Sequence, residues 1–503
     1  MDAATALKSA AAVLHRPADI LPAYFLTPAV PAITRVVAFF GLAFAYLYLE
    51  TTGRLARFRA ELAARDLDPP PATETDPEAF DAWVREVTPL VETVVTPTTV
   101  AIVAVTLLAT VVVSVVLAAV AAAAQLSASH ARLRSERGTT AALRGARRYW
   151  LSILALRVLE TVLWLLVLAG VGLVVGVVSL VSPLVGVLVV LAAIPVTVGL
   201  LVGIRLTFVF AAVAVVVDDV SFGDGVRRGL DFLTTNPTAA GAYALIALAG
   251  LLVLGAVAGA LAVGGAGALV GVLGFVLLSP GLDLVKTGFY ADYRGTVDPP
   301  STPEAPTSER LKAGLYRGVD ELFAFVRSNP ILQVVSLSVA LGGFAVGWVA
   351  VEPFLGTAST SIAERLADHD PLFAAIEFGA NNWTVAVSTA FAGLALAVPA
   401  AIALFFNGFV FGVVARTEET LPELLAFVAP HGIIEIPAFV IAGALGLSLG
   451  GAGWLTARGR MSVDALADSL ERAFWVAVGL GVLLVIAAVI EGFVSPYYYR
   501  PFL

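Results

Sequence analysis

The sequence predicts an all-α, polytopic transmembrane helical bundle of about eleven spans in two membrane halves. Three observations carry that prediction. Hydrophobic residues make up 59% of the 503 and charged residues only 14%, and the mean hydropathy is +0.93, far from the mix of a soluble domain. Several apolar runs exceed the ~20 residues that a helix needs to cross ~30 Å of hydrocarbon. Those runs have helix length rather than the ten-residue alternation of barrel strands, so each must satisfy its own backbone groups in lipid.

In chain order, apolar segments fall at about 33–52, 97–125, 150–180, 184–217, 238–263 and 266–289. The preceding stretch "LHRPADILPAYFLTPAVPAITR" lacks the charged, apolar and cleavable progression of a signal peptide. Broken by prolines, it reads as an interfacial approach to the first span. After the sixth segment comes "YRGTVDPPSTPEAPTSER", with nothing to bury. That composition marks a flexible linker over 291–310 between a six-span domain, 1–290, and a five-span domain, 311–503. Leu311, Leu315, Val319, Leu322, Phe323 and Val326 recur at helical spacing and predict an amphipathic helix along the interface before Asn329-Pro330.

Further segments lie at about 331–351, 382–415, 431–453 and 473–495. The 382–415 run would reach roughly 50 Å as one helix, too long for one crossing. Arginines arbitrate. Arg132, Arg134, Arg137, Arg144, Arg147 and Arg148 crowd one loop, Arg227 and Arg228 a second, and Arg310, Arg317 and Arg327 with Lys312 follow the linker. All three are assigned to the cytoplasm, and the loop 352–376, with only Arg365, to the outside. Placing Arg458, Arg460 and Arg472 inside then requires 382–415 to cross twice, turning near Pro399. Arg54, Arg57 and Arg59 resist the scheme, falling in a loop that the count puts outside.

Cysteine is absent, which excludes disulfides, thiolate metal sites and cysteine nucleophiles. A formal charge of −8 argues against a nucleic-acid partner. The expected partners are the lipid bilayer and other membrane or envelope proteins, in the plasma membrane. No cofactor is expected. The acidic, arginine-rich composition suggests an archaeal halophile. Oligomeric state is not encoded in any pattern.

Within "PHGIIEIPAFVIAG", His431 and Glu435 lie at i and i+4, on one helix face. A metalloprotease pattern needs a second histidine, but His15, His130 and His369 lie in polar or interfacial stretches. A zinc site would therefore have to borrow carboxylates or amides. A structural clasp is the preferred reading, with Gly432 allowing close approach, and a proton or substrate contact is the other. Asn381-Asn382 and Asn407-Gly408 bring amides and a small residue into the membrane. They read as helix–helix glue or as members of one polar cluster with His431 and Glu435. Arg157 and Glu160, one turn apart, read as an intramembrane salt bridge. Arg205 lacks a near partner, with Asp218 or Asp283 within reach on neighbouring helices. The Gly-rich 262–274 lacks Walker spacing and reads as a tight turn.

"NP" at 329–330, "NN" at 381–382, "LFFNGFVFG" at 404–412 and "PHGIIEIPAFVIAGALGL" at 430–447, in that order, resemble the stage II sporulation protein M family of integral membrane proteins. Asn381, Asn382, Asn407, Gly408, His431, Gly432 and Glu435 are the matching positions. The resemblance implies five spans with the amino end inside, and in spore-forming bacteria a membrane scaffold for peptidoglycan hydrolases supplied by other chains. The first 290 residues lie outside it and resemble, by hydropathy, multi-span regions attached to some bacterial phosphodiesterases. A non-enzymatic scaffold is therefore the first functional expectation. A transporter or channel with a polar midplane site is the second, and an intramembrane hydrolase the third.

Overall fold

The computed structural model describes residues 1–65, 77–298, 305–352, 355, 361 and 370–498. Arg365 and His369, and some of the linker, lie outside the described residues, which contain helices and no strand. The six-span region comprises α1 (Ala3–Leu14), α2 (Leu26–Thr51), α3 (Arg54–Ala63), α4 (Pro77–Val94), α5 (Pro97–Arg132), α6 (Gly138–Val181), α7 (Pro183–Val217), α8 (Phe222–Thr235), α9 (Pro237–Ala262) and α10 (Ala268–Tyr293). There follow α11 (Thr307–Ser328), α12 (Pro330–Ala350), α13 (Pro371–Ala392), α14 (Val398–Thr417), α15 (Leu421–Ala457) and α16 (Val463–Phe493).

Local chemistry sets many of these starts. Pro97, Pro183, Pro237, Pro330 and Pro371 each occupy the first helical position, where a missing N–H costs nothing and φ is already helical. Thr96, Ser182, Asp370 and Ser462 cap the backbone donors behind them. For α6 the cap comes from far away: Asp19 Oδ1 accepts from the Gly138 N–H at 2.8 Å, and Asp19 also pairs with Arg132 at 2.9 Å.

Ten helices among the described residues are long and apolar enough to span a membrane. The difference from eleven is α13, in which Glu377, Asn381 and Asn382 dilute the apolar run. The 382–415 segment divides as its length requires. Helix α13 stops at Ala392 and α14 starts at Val398, with Leu396 and Ala397 left-handed (φ 63° and 65°) in the turn just before Pro399.

The loop ends assigned to the cytoplasm meet on one face. Arg137 pairs with Asp468 (2.6 Å) and Glu471 (2.8 Å), Thr140 donates to Asp464 (2.8 Å), and Arg310 meets His15 Nδ1 at 2.7 Å. The Asp298 backbone N–H donates to the Leu133 carbonyl at 2.7 Å, so the start of the linker is docked. We predict that cysteines placed at exposed Arg147 and Glu419 label from opposite sides of the membrane. Labelling of both from one side would contradict this topology.

One expectation is corrected, and two other segments gain detail. The stretch before the first span is core, not an interfacial approach: Tyr24 and Phe25 are fully buried. Helix α11 packs Gly318 and Leu322 against α16, with Arg317 stacked 4.5 Å over Trp475, and leaves Leu311, Leu315 and Phe323 exposed. The 54–92 loop contains a pair of contacting helices, α3 and α4, with Arg54 donating to the Thr93 carbonyl at 3.2 Å.

The division at 291–310 describes chain order more than space. Phe25 of the first half sits among Phe275 (6.0 Å), Trp383 (5.8 Å), Phe391 (5.1 Å) and Phe474 (5.7 Å), within a single core cluster drawn from both halves. Within the second half, α12 and α14 touch backbone to backbone. A Cβ on Gly343 or Gly347 would fall on the carbonyls of Phe405 or Phe409, and one on Gly408 or Gly412 on those of Ala340 or Phe344. Small residues permit that approach in lipid. Gly412→Ala should cost about 1–3 kcal/mol through forced separation, read as a lower melting temperature in detergent.

Candidate functional site

Helix α15 carries His431 and Glu435 one turn apart. The last turn of α16 brings Glu491, and Ser495 follows just beyond that helix. His431 Nε2 lies 4.0 Å from Glu435 Oε2 and 3.9 Å from Glu491 Oε1. One ligand atom from each residue falls within 4.8 Å of the others. The three side chains are 6%, 13% and 13% exposed, and they withdraw from water and lipid together.

Each side chain is held from behind. His431 Nδ1 is 2.9 Å from Ser495 Oγ, and Phe427 packs edge-on against the imidazole with centroids 5.5 Å apart. Asn382, from the middle of α13, donates through Nδ2 to Glu435 Oε1 at 3.1 Å, and Asn381 Nδ2 donates to the Asn382 side-chain Oδ1 at 3.2 Å. Glu491 Oε2 is buried without a hydrogen-bond partner among the described residues. The imidazole has two settings: donating to Ser495 leaves Nε2 bare, while accepting there points Nε2–H at the carboxylates. Either arrangement can bind and release a proton, and the first can ligate a metal ion.

The structure brings together His431, Glu435, Asn382 and, through Asn382, the exposed Asn381. Asn407 stays apart, and its amide has no hydrogen-bond partner among the described residues. The reason is rotational: Gly408 and Gly412 turn α14 toward α12, and the adjacent Asn407 is carried away from His431. Gly432 makes no close interhelical approach, since the atoms nearest its would-be Cβ belong to Val428 and Ile436 of its own helix. Sequence reasoning missed Glu491 and Ser495. A signal was present in Glu491, a lone carboxylate in the apolar run 473–495, the kind of residue that marks a site by default.

A second polar region lies in the first half. Arg205, not Arg157, pairs with Glu160, at 3.0 and 3.2 Å to its two oxygens. Asp218 is taken by Arg228 (2.6 Å) and Arg294 (2.8 Å), and Asp283 by Lys286 (2.6 Å) and the Tyr24 hydroxyl (2.9 Å). Arg157 has no carboxylate within ion-pair distance among the described residues. From the α6–α7 tip at 181–183, Arg157 and Arg205 lie roughly 36 and 33 Å along their helices. With Asp283 and Lys286 they line a cavity of about 820 Å³.

One comparison distinguishes the two regions. Residues 336–496 match the family model of Stage II sporulation protein M. The match runs from within α12 to just beyond α16, and every residue of the His431 centre falls inside it. Residues 1–335, with the charged cavity, fall outside it. No curated protein and no solved structure matches the chain.

Proposed function

We propose that the protein is a non-enzymatic scaffold of the plasma membrane, an assembly partner within a membrane or cell-envelope complex. The observation that carries this reading is the aromatic lock around Phe25. A carrier that alternates access rocks one bundle against another around a site between them. Here the contact between the halves is a filled core, and the polar centre lies within the later spans. The joined loop ends around Arg137, Asp464 and Asp468 add a rigid charged platform on which a partner protein can rest. The resemblance to Stage II sporulation protein M supports the same role.

Spin labels in this cysteine-free background test it. A pair at Arg147 and Leu311, one in each half, should give a single narrow distance distribution. In mild-detergent extracts of the source membranes the protein should migrate above its purified mass. Two resolved distances, or migration as the free chain, would contradict the scaffold.

The cavity, where Arg205 and Lys286 are paired with Glu160 and Asp283 and Arg157 is, among the described residues, the one cation in excess, favours a second reading, transport or conduction of an anionic solute, with its chamber in the first half instead of at His431. Phosphate or sulfate flux into proteoliposomes, abolished by Arg157→Gln, would replace the scaffold with that function.

A further inference from the structure

We propose that His431, Glu435 and Glu491 form a binding site for one divalent transition-metal ion of the zinc class, set between α15 and α16. The donor set is the first argument. Sequence spacing alone left His431 and Glu435 one ligand short, and Glu491 supplies the third from another helix. Two donors of a tetrahedral zinc ion, each about 2.1 Å from it, are about 3.4 Å apart. The imidazole Nε2 already lies 3.9 and 4.0 Å from the two carboxylate oxygens. Those two separations must shorten by about half an ångström, and the two carboxylate oxygens, with all three ligand atoms within 4.8 Å of one another, by no more than about 1.4 Å.

Orientation of the donors is the second argument. A metal-bound histidine donates its other ring nitrogen to a fixed acceptor, which sets the tautomer and aims the ring. Ser495 Oγ stands at that position, 2.9 Å from Nδ1. Asn382 holds Glu435 through Oε1 and leaves Oε2 turned toward the imidazole. Glu491 keeps a buried oxygen that no donor among the described residues satisfies.

Charge is the third. Among the described residues no lysine or arginine pairs with Glu435 or Glu491, although both are mostly buried between helices. Two carboxylates in such surroundings either hold protons or take a counter-charge of two, which one divalent ion supplies. An imidazole with two carboxylates, in a chain without a thiol, suits zinc, manganese or ferrous iron better than cuprous ion, while the nitrogen donor disfavours magnesium. Three protein donors leave the fourth position to water.

The test uses full-length protein carrying no polyhistidine tag, purified in detergent, loaded with zinc and freed of excess by gel filtration. Elemental analysis should find close to one zinc per chain. Glu491→Gln should lose it while eluting at the wild-type volume, and Ser495→Ala should weaken affinity by about 10–100-fold. Cobalt loaded in place of zinc should give the visible absorption of a low-symmetry site in the wild type, which decides the matter even where a variant fails to fold. Zinc well below one per chain in the loaded wild type would overturn the proposal. So would equal loading of wild type and Glu491→Gln, or cobalt absorption no different from that of the aqueous ion.

Discussion

Asp283→Ala should lower the unfolding free energy by about 3–5 kcal/mol, the cost of leaving a mostly buried charge without its partner. Asp283 accepts from Lys286 at 2.6 Å and from the buried Tyr24 hydroxyl at 2.9 Å, and Tyr24 also meets Ser129 Oγ at 3.0 Å. One substitution therefore strands a cation and removes one of the two hydrogen bonds of the Tyr24 phenol, in the region that joins α5 and α10 to the segment before α2. Asp283→Asn keeps an acceptor for Tyr24 and should lose less. Asp283→Leu combined with Lys286→Met removes both charges and should recover most of the loss. Tryptophan-fluorescence melting in detergent reads all three. An alanine variant that melts with the wild type would mean that Lys286 has a second counter-charge.

Glu435→Leu should cost roughly 1–3 kcal/mol, because the Asn382 amide loses its acceptor in a mostly buried site. Glu435→Gln retains that acceptor and should stay within about 1 kcal/mol of wild type. Asn407→Leu provides the contrast: outside the cluster, it should shift stability by no more than about 0.5 kcal/mol. Equal destabilisation by the leucine substitutions at 407 and 435 would show that burial of any polar group, and not this cluster, controls the response.

Most of the fold was legible because a bilayer imposes length. The break of 382–415 into two helices follows from 1.5 Å per residue against ~30 Å of hydrocarbon, and the arginines indicate on which side the turn must lie. Less legible was what the helices present to one another. Hydropathy cannot distinguish a proline-rich approach to the membrane from a segment that feeds Tyr24 and Phe25 into the core, since both are short, apolar and irregular. Nor does it reveal that Glu160 pairs with Arg205 across α6 and α7 and not with Arg157 one turn away.

The centre was half legible for a related reason. His431 and Glu435 announce themselves by i,i+4 spacing, and Asn382 by its place in a diluted span. Glu491 is 56 residues beyond Glu435, and only the packing of α15 on α16 brings them together. Asn407 shows the converse error, because nearness in sequence and a shared family motif do not fix which way a helix is rotated. The glycines beside it do.

That juxtaposition across α15 and α16 is the central claim, and a double-mutant cycle between His431 and Glu491 tests it most directly. With His431→Leu, Glu491→Leu and the double variant melted side by side, the account predicts a coupling of about 0.5–3 kcal/mol, as expected for residues sharing one polar network. Single effects that add to within about 0.3–0.5 kcal/mol, as for residues more than 7–10 Å apart, would contradict it.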